Sequence, residues 1–137
     1  TENRELYQHI IDERGHRWIG IEKCNNEVDP DLIRPHFLPS PLFVYYLDEI
    51  LKQFEEKKIP VKFISMPINP ATNLALSETY RKEYKEFLES LVKRHPGVEY
   101  VSDLFPVADP CDFGDALHLN QDGARRWSIY LRDNKLL

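Results

Sequence analysis

Asp115 and His118, separated by Ala116 and Leu117 and followed by Asn120 and Gly123, place a carboxylate one turn before an imidazole. A carboxylate that accepts a hydrogen bond from one ring nitrogen fixes the histidine tautomer and leaves the other nitrogen to take a proton from a hydroxyl nucleophile. The spacing points to His118 as general base and Asp115 as its orienting acid, in a tight turn ahead of a helix capped by Asn120. Asp112 is a rival for the orienting role. The bland alternative is a solvated loop aspartate beside a helix-capping histidine, because Asp-x-x-His is a common string.

Such a turn has to be held by a scaffold. Three segments rich in β-branched and aromatic residues, 17–23, 61–66 and 98–101, alternate with helical patterns. That alternation predicts an α/β fold with a parallel sheet and crossover helices, in a single domain over residues 1–137. Ligands of such sheets sit beyond the carboxyl ends of the strands, where the loop carrying Asp115 and His118 leaves the last one. Helices are expected over 2–13, over 41–57 with Ser40 as cap and Pro41 at its first position, over 78–94 behind Ser77, and after Asn120. Phe43, Leu47, Ile50, Leu51 and Phe54 mark the expected buried face of the second helix, and the cluster Phe43, Tyr45 and Tyr46 reads as core and boundary packing. Residues 67–76 read as a loop, and Trp127, Tyr130 and Leu131 as the inward face of the last helix.

Composition narrows the function classes. The 23 acidic and 18 basic residues give a formal charge of −5, with the basic residues scattered among acids, which argues against a nucleic-acid partner. No apolar run reaches the roughly 20 residues of a membrane span. Cys24 and Cys111 each follow an expected strand; two unpaired thiols are the favoured reading and a disulfide the alternative. Neither has a Cys or His neighbour at metal-ligand spacing, so no metal site and no cofactor are expected. His36, in the proline-rich loop 29–39, reads as a surface histidine, and the pair Asn25-Asn26 as turn formers.

From about residue 17 onward, the order strand, proline-rich exit, helix, strand, Pro-x-Asn exit, helix, strand, long loop and Asp-x-x-His-x-Asn-x-x-Gly resembles the C-terminal half of an SGNH (GDSL-type) hydrolase. Met66-Pro67-Ile68-Asn69 and the tyrosine-rich helix after it are similar to the branch of bacterial cell-surface acyl-transfer proteins. The resemblance implies a flavodoxin-like sheet, incomplete at its N-terminal side, with one unfinished edge. It implies esterase or O-acyltransferase chemistry on an ester or acylated carbohydrate, with His118 as base, Asp115 holding it, and Asn26 or Asn25 as the oxyanion donor. It also implies an extracytoplasmic or cell-surface location, with any membrane anchor or partner outside this chain. The family's Gly-x-Ser block is missing. None of Ser40, Ser65, Ser77, Ser90, Ser102 and Ser128 sits in a glycine-rich turn. The sequence is therefore expected to be the C-terminal part of a longer hydrolase whose nucleophile lies upstream, or else a noncatalytic, SGNH-like binding or structural module.

Overall fold

The computed structural model of the chain describes residues 24–136, so the expected helix 2–13 and strand 17–23 lie outside the described residues. The elements run α1 (Pro41–Glu56), β1 (Val61–Phe63), α2 (Pro70–Ala75), α3 (Glu78–Arg94), β2 (Val98–Tyr100), a 3-10 turn (Pro110–Asp112) and α4 (Gln121–Asp133). β1 and β2 pair in parallel, Val61 with Val98 and Phe63 with Tyr100, and α2 and α3 make the connection between them. This is a mixed helix and strand arrangement with a small parallel sheet, as an α/β fold requires.

Both strands are shorter than the sequence suggested. Past Phe63 the ladder gives way to side-chain partners: the Ser65 N–H donates to Ser102 Oγ at 2.9 Å. Prolines at 67 and 106 have no N–H to contribute. Pairing resumes once, as a parallel bridge between Ile68 and Val107, with Ile68 N–H donating to Pro106 O at 2.8 Å. The stretch 67–76, expected as a loop, contains α2. Its signal was present in Asn69-Pro70: Asn69 Oδ1 accepts from Thr72 N–H at 2.8 Å, and Pro70 occupies a first-turn position that lacks a hydrogen-bond acceptor anyway.

The core comes in two patches. Leu51, Leu91 and Val98 are buried with Leu47, Val61, Phe63 and Val92 against them, which seats α1 and α3 on the sheet. Ile68, Leu76 and Tyr80 form the other patch with Leu32, Phe37, Tyr84 and Phe105. Helix α1 is rotated from the orientation its apolar residues suggested. Leu51 is buried, whereas Phe43, Tyr45, Tyr46 and Ile50 are exposed, so these aromatics are not core residues among the described residues. His95, 4% exposed, lies against this helix, its Nε2 2.9 Å from Asp48 Oδ1 and its Nδ1 3.4 Å from Glu55 Oε1, the latter two atoms making no hydrogen bond. Turning 48, 51 and 55 inward lets the two carboxylates face the imidazole. The hydrogen bond from His95 holds the Asp48 carboxyl below the ordinary carboxylate range, against the upward push of burial and with help from Arg94.

Helix α4 closes the described residues. Leu131 is buried as expected, but Tyr130 is 41% exposed and lies stacked on Trp127 at 4.9 Å between ring centroids. Gly123 is the residue that lets α4 seat. A Cβ there would collide with the Asp112 carbonyl oxygen and stand 2.8 Å from its carbon, and backbone cannot yield as a flexible side chain would. Gly123→Ala is expected to cost about 2–3 kcal/mol through overpacking, despite alanine's better helix propensity. Urea unfolding checks this, and a stabilised variant would mean that α4 is seated differently.

Candidate functional site

The loop between the 3-10 turn and α4 is built by backbone closure. Phe113, fully buried, bridges to Leu119 in antiparallel sense, and Gly114 N–H donates to His118 O at 2.9 Å. Residues 115–118 are thereby left as the tip of a small closed loop. Below it, Asn120 N–H donates to Asp112 O at 2.8 Å and Asn120 Nδ2 to Cys111 O at 2.8 Å. Asn120 Oδ1 caps α4 by accepting from Gly123 N–H at 2.9 Å, the capping role its sequence position suggested.

At the tip, Asp115 Oδ1 accepts from the backbone N–H groups of Leu117 at 2.9 Å and His118 at 2.6 Å. The same carboxylate faces the His118 ring, with Nδ1 3.1 Å from Oδ1 and 3.0 Å from Oδ2. An ionised carboxylate only accepts, so Nδ1 is the donor, and in the neutral ring Nε2 then carries the lone pair. Partial burial pushes the Asp115 carboxyl up, but the backbone hydrogen bonds from His118 and Leu117 and the imidazole itself outweigh it and hold the group below the usual carboxylate range. The spacing of three residues is thus met by a turn in which one carboxylate fixes both backbone and ring.

Asp112 is not hydrogen-bonded to the His118 ring. It is 7% exposed and is engaged by Arg126, whose Nε donates to its Oδ1 at 2.5 Å. The imidazole stands at an open surface, its side chain 46% exposed. A cavity of about 300 Å³ lined by Pro67, Asp103, Val107, Asp112, Leu119 and Trp127, among others, takes in neither dyad side chain.

Asn25 and Asn26 come close to this loop through the backbone and use their side-chain oxygens locally. Asn25 N–H donates to Pro110 O at 2.9 Å, and its Oδ1 accepts from Glu27 N–H at 3.0 Å. Asn26 Oδ1 accepts from Ala71 N–H at 3.1 Å, in the first turn of α2. These are turn and cap roles, and they leave both Nδ2 groups without a protein acceptor among the described residues. The expectation of two unpaired thiols is corrected: Cys24 and Cys111 form a disulfide across 87 residues of sequence, joining the segment of Asn25 and Asn26 to the loop that leads to Asp115. The sequence offered this bridge as the alternative, since each cysteine follows an expected strand, but sequence spacing alone could not show that the two meet.

The hydroxyls lie elsewhere. Ser65 pairs with Tyr100 OH at 2.8 Å, Ser77 caps Tyr80 N–H at 3.0 Å, and Ser90 and Ser128 donate to helix carbonyls at 2.8 Å. Ser102 donates to Asp103 O at 3.2 Å, and none of these bonds includes His118. His36 is exposed and bound to Glu83, with Nδ1 2.9 Å from Oε1. Among the described residues no group of three or more His, Cys, Asp and Glu side chains could hold a metal ion, and no helix is long and apolar enough to cross a membrane. Sequence reasoning missed Asn69, fully buried, whose amide reaches both Glu27 O at 2.7 Å and Ala116 O at 3.3 Å.

The chain belongs to a protein family whose model matches residues 11–134 and whose description assigns no activity. No curated protein and no solved structure matches it.

The lowered Asp115 carboxyl carries a stability consequence with a definite sign. A group whose folded value lies below its unfolded one, about 3.9, stabilises above that pH and loses the contribution as pH falls through the folded value. The melting-temperature gap between the wild type and Asp115→Asn is expected to shrink as pH falls below about 4. A gap that widens below that pH would contradict the assignment. The disulfide closes a long loop, and Cys111→Ser is expected to lower unfolding free energy by about 3–4 kcal/mol through greater freedom of the unfolded chain, checked against the wild type with and without a dithiol reductant.

Proposed function

We propose that this chain is the base-bearing portion of an SGNH-type serine esterase or O-acyltransferase, acting on an ester or acylated carbohydrate of the cell surface. The observation that carries the reading is the Asp115–His118 pair: an ionised carboxylate 3.0 Å from Nδ1, with the ring half exposed and Nε2 without a partner among the described residues. In this reading Nε2 removes the proton from a serine hydroxyl as it attacks the acyl carbonyl, and the imidazolium returns that proton to the departing oxygen. Asp115 stabilises the imidazolium without itself taking up the proton. An amide Nδ2 of Asn26 or Asn25 would donate to the oxyanion, and the disulfide beside them would keep that donor near the base. The serine would come from a Gly-x-Ser turn upstream of Thr1. A small parallel sheet with the dyad loop leaving β2 is compatible with the flavodoxin-like architecture of such enzymes. A disulfide is in keeping with an oxidising, extracytoplasmic compartment.

One observation favours a noncatalytic reading, a binding or structural module. Five of the six serines spend their hydroxyls on Tyr100 or on backbone groups, and none is hydrogen-bonded to His118.

The two readings separate on a fluorophosphonate probe and a chromogenic short-chain ester. This chain alone is expected to show neither labelling nor turnover, since a base without its nucleophile forms no acyl-enzyme. The product of the whole reading frame, carrying an upstream Gly-x-Ser segment, is expected to show both. There His118→Ala is expected to lower turnover by at least about 10³-fold with little change in melting temperature. Turnover that survives this substitution would exclude His118 as the base, and a reading frame lacking any upstream serine turn would leave the binding module.

A further inference from the structure

Asn69 is a buried polar side chain whose position in the strand-exit loop gives it nothing to do in the proton transfers above, yet its carboxamide is fully used. Its Oδ1 caps α2 at Thr72 N–H, 2.8 Å away. Its Nδ2 donates to Glu27 O at 2.7 Å and, less closely, to Ala116 O at 3.3 Å. Glu27 directly follows Asn25 and Asn26, and Ala116 lies inside the turn between Asp115 and His118. One amide group therefore joins the two halves of the candidate site to the start of the same helix. We propose that Asn69 is a positioning residue for the dyad: it holds the Ala116 carbonyl so that the N–H groups of Leu117 and His118 converge on Asp115 Oδ1 and the ring meets the carboxylate.

The physical argument is one of donors. The turn at 115–118 closes on a single carboxylate oxygen that accepts two backbone N–H groups, at 2.9 and 2.6 Å, so a peptide rotation at Ala116 would break at least one of them. Asn69 is fully buried, its Nδ2 pinned between two carbonyls and its Oδ1 fixed by the cap, so its second hydrogen cannot be satisfied by water in its place. Removing the donor leaves the Glu27 and Ala116 carbonyls without it and frees that rotation.

The inference rests on reading Asp115 and His118 as the dyad, but its test needs no turnover. Asn69→Asp keeps the shape and the capping oxygen while turning the donor into an acceptor aimed at two carbonyls; Asn69→Ser keeps a capping oxygen and removes the amide. Leu91→Ala, in the separate core patch of Leu51 and Val98, supplies a general destabilisation for comparison. Amide hydrogen exchange at Leu117 and His118 is expected to speed up at least about tenfold in both Asn69 variants relative to the helix α3 amides. The Asp115 carboxyl, followed by carbon NMR, is expected to move up toward the ordinary carboxylate range in the same variants. In Leu91→Ala the exchange changes should be uniform and Asp115 should stay in place. Uniform exchange changes in both Asn69 variants, or an Asp115 titration that does not move, would reduce Asn69 to a helix cap and overturn the proposal. If Asn69→Asp does not fold, Asn69→Ser decides. Loss of the turn in a protein whose activity is indifferent to His118→Ala would sustain the role of Asn69 and refute only the catalytic reading.

Discussion

The backbone carbonyl of Asp112 is the point on which the arrangement depends. It accepts the Asn120 N–H at 2.8 Å, it occupies the space that any side chain at residue 123 would need, and the side chain of the same residue is bound by Arg126 from the next turn of α4. Close backbone approach of this kind has no tolerance, because neither the loop nor the helix can rotate a bond to escape it. The dyad loop is therefore seated against α4 before any side chain at its tip is considered. Asp115 and His118 can stand half exposed at an open surface and still keep a defined geometry, since the order beneath them is carried by buried backbone.

The sequence announced the local features and not the global ones. The bounds of α1 and α3 were legible because Pro41, the Ser77 cap and apolar periodicity act within a few residues, although the Ser40 side chain, expected to cap α1, makes no capping bond. So was the Asn120 cap, and so was the pairing of Asp115 with His118, which needs one turn. What escaped was decided at long range. The orientation of α1 goes with His95, some forty residues away, whose Nε2 bonds Asp48 and whose Nδ1 stands 3.4 Å from Glu55. The apolar count along α1 cannot reveal that two of its acids turn inward. Asn69 read as a loop residue because Pro67 and Pro70 advertise irregular backbone; its bonds to Glu27 and Ala116 join segments more than forty positions apart.

The strand segments illustrate the opposite error. Val61 to Met66 reads as a six-residue strand by composition, yet the ladder covers three residues, and Ser102 and Tyr100 take over the polar groups of Ser65. β-propensity describes side chains that suit a pleated surface, whereas strand length is set by what lies alongside. Prolines on both exits leave a sheet whose ordered part is short and whose loops are long. Those loops carry every residue to which a chemical role is assigned, on a scaffold that contributes mostly placement.

The bridge between Cys24 and Cys111 also sets an order of events during synthesis. Cys24 leaves the ribosome 87 residues ahead of its partner, a wait of about 4–17 s at the usual elongation rate of about 5–20 residues per second. Through that interval its thiol has no partner among residues 1–137, where Cys24 and Cys111 are the two cysteines. Among these 137 residues there is then no wrong pairing to make. Closure becomes available just as the residues of the dyad turn emerge, so the covalent ring and the loop it steadies are completed together.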